Sequence, residues 1–201
     1  MEKSQKEYRI GNDPSRNLVT ASNWSRSRRS EVLSEFRKVG ERYENSVGRM
    51  LVEQMGGEFT CSTASQNMRQ HIDIWWTDEN GVKHGVDVKM PKKTRRYDTE
   101  PDNTRTWVEI LNTAGDPGWL DGDEEWIAFV REGGFNEVLF VNRSKLSKFV
   151  KDRIKNSKVV EYNTGVSYDL YTRAKWGNND MCTIVPFSDM EPFVDFRIKF
   201  K

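Results

Sequence analysis

Two short segments, each with an acid in the middle of an apolar alternation, most constrain how this chain folds. They are "HIDIWWT" (71–77) and "KHGVDVKM" (83–90), joined by the turn-forming "DENG" (78–81). Alternation with period two is the pattern of a half-buried strand, and a short polar turn between two such runs makes an antiparallel hairpin. In the second run Val86 and Val88 face one way, and Asp87 and Lys89 face the other. In the first, Asp73 stands between Ile72 and Ile74. Pairing the two runs through the turn brings Asp73 close to Asp87.

The segments around this hairpin supply a core. "SEVLSEFRKVGERYENSVGRMLVEQMGG" (30–57) repeats apolar residues at helical spacing: Val32, Phe36, Val39, Tyr43, Val47, Met50 and Leu51. Ser30 is its expected N-cap, and Gly56 and Gly57 are its stop signals. Downstream, "TWVEILN" (106–112) reads as a strand. "EWIAFVR" (125–131) and "EVLFVN" (137–142) read as a hairpin around "EGGFN". "RSKLSKFVKDRIKN" (143–156) reads as an amphipathic helix with Leu146, Phe149, Val150 and Ile154 inward. Two further apolar segments follow, "SYDLYTR" (167–173) and "MCTIVPF" (181–187). This order predicts a mixed α/β domain with one central sheet flanked by helices. Residues 1–29 are expected to form a flexible polar arm ending in "SRSRR". Residues 30–201 are expected to form one domain, with a core over 30–158 and a C-terminal β extension over 159–201.

Composition sets limits on function. The 201 residues suit one well-formed core, and seven Trp with 11% aromatic residues argue for a packed domain rather than disorder. A net charge of +1 gives no global attraction to nucleic acid, so any electrostatic footprint is local. Cys61 and Cys182 lack metal-ligand spacing and suit a reducing cytoplasm. The charged N-terminal stretch is unlike a signal peptide, and no apolar run is long enough to span a bilayer. The chain has no phosphate-binding glycine loop, nucleophile elbow or zinc signature.

Chemistry concentrates at the hairpin. Asp87 is the one acid followed two positions later by lysine. The upstream helix carries Glu44 between Gly40 and Gly48, each one turn away. Those glycines either open room for a cation or let a strand pack close to the helix. Three carboxylates suit Mg²⁺, which prefers oxygen ligands. A bound cation lowers the pKa of its water and stabilises charge on a phosphate in transfer. A lysine beside it can orient or deprotonate that water.

The succession "GERYE", "IDIWW" and "VDVKM" resembles the PD-(D/E)xK nuclease superfamily, in particular its Holliday-junction-resolvase-like branch. The matching residues are Gly40 and Glu44, Ile72-Asp73-Ile74, and Asp87-Val88-Lys89. The proline that names the motif is replaced by Ile72. The resemblance covers roughly residues 36–93, and "WVEILNTAGDPGWLDGDEEWIAF" is similar to segments of phage-encoded nucleases. It implies a restriction-endonuclease-like core and a Mg²⁺-dependent endonuclease, with Mn²⁺ able to substitute, acting on nucleic acid and on DNA above all. It also implies that Glu44, Asp73, Asp87 and the carbonyl of Val88 hold the metal, and that Lys89 is catalytic. The products would carry a 5′-phosphate and a 3′-hydroxyl. A phage protein of this kind would work in the host cytoplasm, away from membranes, and a homodimer stays open. The rivals are a catalytically inactive module of the same fold that binds nucleic acid or protein, and a structural protein whose strand acids form ion pairs.

Other residues carry two readings each. Glu109 is either a further acid of the site or an edge-strand carboxylate paired with a cation. Lys92, Lys93, Arg95 and Arg96 either clamp a phosphate backbone or form a solvated loop. His71 and His84 read as strand-end residues, although either could meet a phosphate. Asp116, Asp121, Asp123, Glu124 and Glu125 lack the spacing of a Ca²⁺ loop and read as solvated. The cations of the 143–156 helix (Lys145, Lys148, Lys151, Arg153 and Lys155) likewise read as a solvated face.

Overall fold

The computed structural model describes residues 26–95, 97–174 and 177–200, without the side chains of 26–33 and 64. Residues 1–25 of the expected arm and Arg96 of the basic loop lie outside the described residues.

Helix α1 runs over Arg26–Met55. It starts before the expected boundary, so Ser30 lies inside the helix instead of capping it, and residues 26–29 belong to the helix rather than to the arm. Gly56, at φ 75°, ends it in the left-handed conformation that glycine adopts without strain. Then come β1 (Glu58–Cys61), α2 (Ala64–Gln70), β2 (Ile74–Thr77), β3 (Lys83–Lys89) and β4 (Arg105–Leu111). A 3₁₀ turn at Trp119–Asp121 leads to β5 (Trp126–Arg131), β6 (Glu137–Asn142) and α3 (Arg143–Ile154). The chain ends with β7 (Val159–Val160), β8 (Leu170–Thr172), β9 (Met181–Pro186), the short α4 (Phe187–Met190) and β10 (Val194–Lys199).

The fold is mixed α/β, but its strands form two sheets rather than one. The larger has the order β1-β2-β3-β5-β6-β10 and the smaller β4-β9-β8-β7. Both predicted hairpins, β2–β3 and β5–β6, are antiparallel pairs, and β3 runs parallel to β5. Strand β4 leaves the central sheet to pair with β9. The C-terminal segment is a β extension of this domain, and its last strand, β10, pairs with β6 at the edge of the central sheet.

The central sheet is covered on both faces. On one, Val47 and Leu51 of α1 pack with Ile74, Trp76, Val86, Val88, Ala128 and Phe140. On the other, Leu146, Val150 and Ile154 of α3 pack with Ile127, Phe129, Leu139 and Val141, joined by Val108 and Val185 of the smaller sheet. All six residues of β5 are buried, as befits a strand covered on both faces. Gly48 explains how closely α1 approaches: a Cβ there would lie 2.3 Å from the Phe59 ring, whereas at Gly40 it would meet only Glu44 Oε1 at 3.6 Å. Close packing therefore accounts for Gly48, and open space for Gly40. Among the described residues no helix is long and apolar enough to cross a membrane, and Cys61 and Cys182 form no disulfide.

Candidate functional site

The site begins with strand register. Ile74 pairs with Val86, so the next antiparallel pair places Asp73 opposite Asp87 on one face. The Asp73 backbone N–H donates to the Val86 carbonyl at 3.0 Å. Its carboxylate takes over where the ladder stops: Val88 N–H donates to Asp73 Oδ2 at 2.7 Å. Asn67 of α2 donates to Asp73 Oδ1. The predicted strand 71–77 is shortened to begin at Ile74 because His71, at φ 56°, caps α2 in the left-handed conformation and turns the chain.

Asp87 is almost fully buried. Lys89 Nζ lies 2.7 Å from its Oδ1 in a hydrogen bond. The same ammonium is 2.6 Å from Oδ2, but Oδ2 has no aligned hydrogen-bond donor. Lys89 also sits 4.7 Å above the Trp119 ring, on the face away from the Val86 and Val88 side chains.

The electrostatics show too much negative charge for one lysine. Burial pushes the Asp73 carboxyl up to about 7, and the nearby Asp87 charge adds to the rise. Burial raises Glu44 to about 7 as well, with repulsion from Asp73 and Glu41 and some relief from Lys89. Burial alone would lower the Lys89 pKa, but Asp87 and Asp73 outweigh it, so the ammonium is held charged. Glu44, Asp73, Asp87 and Lys89 thus share one electrostatic neighbourhood, built from α1, the start of β2 and the end of β3.

Glu109 reaches it from the smaller sheet. Burial raises its pKa, while Lys89, Lys92 and His71 pull it down. His71 also borders the site: burial and Lys89 lower its pKa, and Glu109 and Asp73 oppose them. His84 lies elsewhere. It stacks on Trp76 and Trp126, and its Nδ1 is 2.6 Å from Glu125 Oε2.

Glu124 corrects the solvated reading of the acidic loop. Its side chain is fully buried and both carboxylate oxygens lack a hydrogen-bond partner. Burial and then the Asp87 charge push its pKa to about 9. Its nearest cation is Arg143, with Nε 4.0 Å from Oε1. A Cβ at Gly122 would lie 2.1 Å from Glu124 Oε2, so glycine is what leaves room for the carboxylate. The cue in the sequence is the acidic run abutting the apolar strand "WIAFVR". Asp121 by contrast serves α3, accepting from Ser147 Oγ at 3.0 Å and from Lys151.

The loop after β3 is ordered by its own contacts. Asp102 N–H donates to the Lys92 carbonyl at 3.0 Å, and Trp107 Nε1–H donates to that of Lys93 at 3.1 Å. Arg95 is exposed, and Lys92 and Lys93 are half-buried. On α3, Lys145 and Lys151 pair with Asp195 and Asp121, and Arg153 lies over Phe149. Those three cations are engaged within the protein.

The acids do not form a closed cage. Among the described residues no group of three or more His, Cys, Asp or Glu is arranged to hold a metal ion. The bonds just described explain why: Asp73 is turned to Val88 N–H and Asn67, and Asp87 to Lys89. The donor chemistry nevertheless suits a hard cation, since Glu44, Asp73 and Asp87 all offer carboxylate oxygens. No family model matches the chain, and no curated protein and no solved structure is significantly similar to it.

Proposed function

We propose that this protein is a Mg²⁺-dependent nuclease that hydrolyses phosphodiester bonds of nucleic acid, with DNA as the first substrate to test. One observation supports it most: the strand register sets buried Asp73 opposite buried Asp87, Lys89 Nζ touches Asp87 at 2.7 Å, and half-buried Glu44 of α1 shares their electrostatic neighbourhood. Glu44, Asp73 and Asp87 would hold the cation, with the Val88 carbonyl, and Mn²⁺ would serve in its place. Mg²⁺ when bound supplies charge to stabilise the phosphorane-like transition state and acidifies water. Lys89, kept protonated by its acids and steadied over Trp119, would orient the attacking water and donate to phosphate oxygen. Lys92, Lys93, Arg95 and Arg96 would position the backbone.

A panel of labelled linear and branched DNA and RNA, incubated with Mg²⁺ or Mn²⁺, tests this proposal. Cleavage by wild type and its loss in Lys89→Ala support it. A chain that cleaves nothing on the panel with either cation refutes it.

A second reading has an observation of its own in the short Lys89–Asp87 contact. In a purely structural pair the acid and the lysine would exist for each other. The surplus of acids around that one lysine argues against this.

A further inference from the structure

Glu124 lies buried behind the acid site, and the chemistry proposed above gives it no task. The backbone on either side of it is fixed. Asp123 N–H donates to the Gln70 carbonyl at 2.9 Å, and Glu125 N–H donates to that of Gly85 at 2.9 Å. Gln70 belongs to the turn that leads to Asp73, and Gly85 to the strand that carries Asp87 and Lys89. Glu124 is thus set between the two segments that supply the site. Arg143 closes the other side, with its Nε donating to the Glu124 carbonyl at 2.9 Å and its N–H to that of Glu125 at 3.1 Å.

The carboxyl itself has no such fixture. Its side chain is fully buried, and neither oxygen has a hydrogen-bond partner among the described residues. The Arg143 guanidinium stays 4.0 Å from Oε1, and its Nε is committed to the backbone. Buried polar atoms are nearly always paired, and an unpaired one costs stability. The chain also leaves out a side chain to house this one. A Cβ at Gly122 would lie 2.1 Å from Glu124 Oε2 and 2.9 Å from both the Gln70 carbonyl oxygen and His71 Cβ. Gly122 has φ −69°, open to any residue, so space and not conformation requires glycine there. Asp121, from the same loop, shows how a structural acid behaves here: it accepts from Ser147 Oγ at 3.0 Å and from Lys151.

From this placement we infer that Glu124 is a further acid of the cation site, supplying a carboxylate oxygen to the divalent ion that Asp87 takes. This inference rests on the nuclease proposal. An acid kept for Arg143 would sit at hydrogen-bond distance from the guanidinium, and Glu124 does not. After burial, the strongest influence on it is the Asp87 charge, which raises its pKa, while Arg143 and Lys89 act in the opposite sense. Without a cation the carboxyl therefore keeps its proton at neutral pH, the form in which an unpaired buried acid costs least. A divalent ion at Asp87 becomes the largest charge in the neighbourhood and reverses that preference. An acid that costs stability in the metal-free protein and gains a partner with the metal is retained for function.

The test is titration calorimetry with Mn²⁺ in the absence of nucleic acid, beside melting temperatures in chelator. Glu124→Gln has the shape of the neutral carboxyl, so in chelator at neutral pH it should melt at or above wild type. Its Mn²⁺ affinity should nevertheless fall at least roughly tenfold, the lower end of what groups around a metal contribute. Glu124→Asp keeps the charge but withdraws the oxygens by one methylene, and it should lose affinity in the same way. It decides the question if Glu124→Gln does not fold. Wild-type Mn²⁺ affinity in either folded variant, with wild type binding Mn²⁺ and cleaving nucleic acid, would overturn this inference and leave the nuclease proposal standing. A wild type that binds no Mn²⁺ and cleaves nothing would overturn both.

Discussion

Lys89 Nζ lies within 2.7 Å of both carboxylate oxygens of Asp87, and only one of those contacts is a hydrogen bond. A single ammonium thus faces Asp87, while Asp73, across the hairpin, repels the same acid. Roles for the two residues follow. Lys89→Ala should abolish cleavage and leave cation binding largely intact, because an ammonium is no ligand for a divalent ion. Asp87→Ala should remove both, because it deletes an oxygen ligand. Titration calorimetry with Mn²⁺ beside a cleavage assay separates the two variants, and loss of cation binding in Lys89→Ala would contradict these roles.

Stability without metal should fall as pH rises. Asp73 and Glu44 stand at about 7 and Glu124 at about 9, against roughly 4 for unfolded carboxyls. An acid whose folded pKa is raised holds its proton more tightly when folded. Its stabilising contribution is complete below the unfolded pKa and is lost as pH climbs through the folded value. Melting temperatures in chelator should therefore decline between about pH 5 and about pH 9, with the upper part of the decline set by Glu124. Glu124→Gln should flatten that upper part. A profile in Glu124→Gln as steep as in wild type would mean that Glu124 is not the group responsible.

The two helix glycines should respond in opposite directions. Gly48→Ala pushes a methyl into the Phe59 ring and should cost about 1–3 kcal/mol, as overpacking does. Gly40→Ala meets only the tip of Glu44 and should stabilise the helix by about 0.5–1 kcal/mol. Urea unfolding of both variants checks the pair, and a neutral Gly48→Ala would show that α1 can shift away from β1.

Neutralising Lys92, Lys93 and Arg95 together with Arg96 should weaken nucleic-acid binding for every sequence alike. It should also reduce the slope of log affinity against log salt by about 0.9 for each phosphate that is no longer neutralised. An unchanged slope would return this loop to an ordinary solvated connection.

Local pattern makes much of this fold legible, and partner choice makes the rest opaque. Period two marks β2 and β3, unbroken apolar runs mark β5 and β6, and period 3.6 marks α1 and α3. Nothing in "TWVEILN" indicates that its partner is β9 rather than a strand of the central sheet, because pairing across such a sequence distance leaves no local signal. Strand β10 escapes notice although Val194, Phe196 and Ile198 alternate with polar residues, since the run is short and follows a proline. Asp73, Asp87 and Lys89 can be placed together because a tight hairpin fixes their register. Glu124, His71 and Asn67 cannot. They arrive through the left-handed turn at His71 and the folded segment 113–124, whose geometry no spacing encodes.

The most direct measurement is the melting temperature of wild type and Asp87→Ala, each in chelator and again with Mg²⁺. If the acids serve a cation, Asp87→Ala in chelator should melt at or above wild type, because it relieves repulsion with Asp73. Mg²⁺ should then raise the wild type and leave the variant unmoved. A drop in the variant matching about 3–5 kcal/mol, the cost of leaving a buried lysine unpaired, with no response of wild type to Mg²⁺, would mean that Asp87 and Lys89 are there for each other.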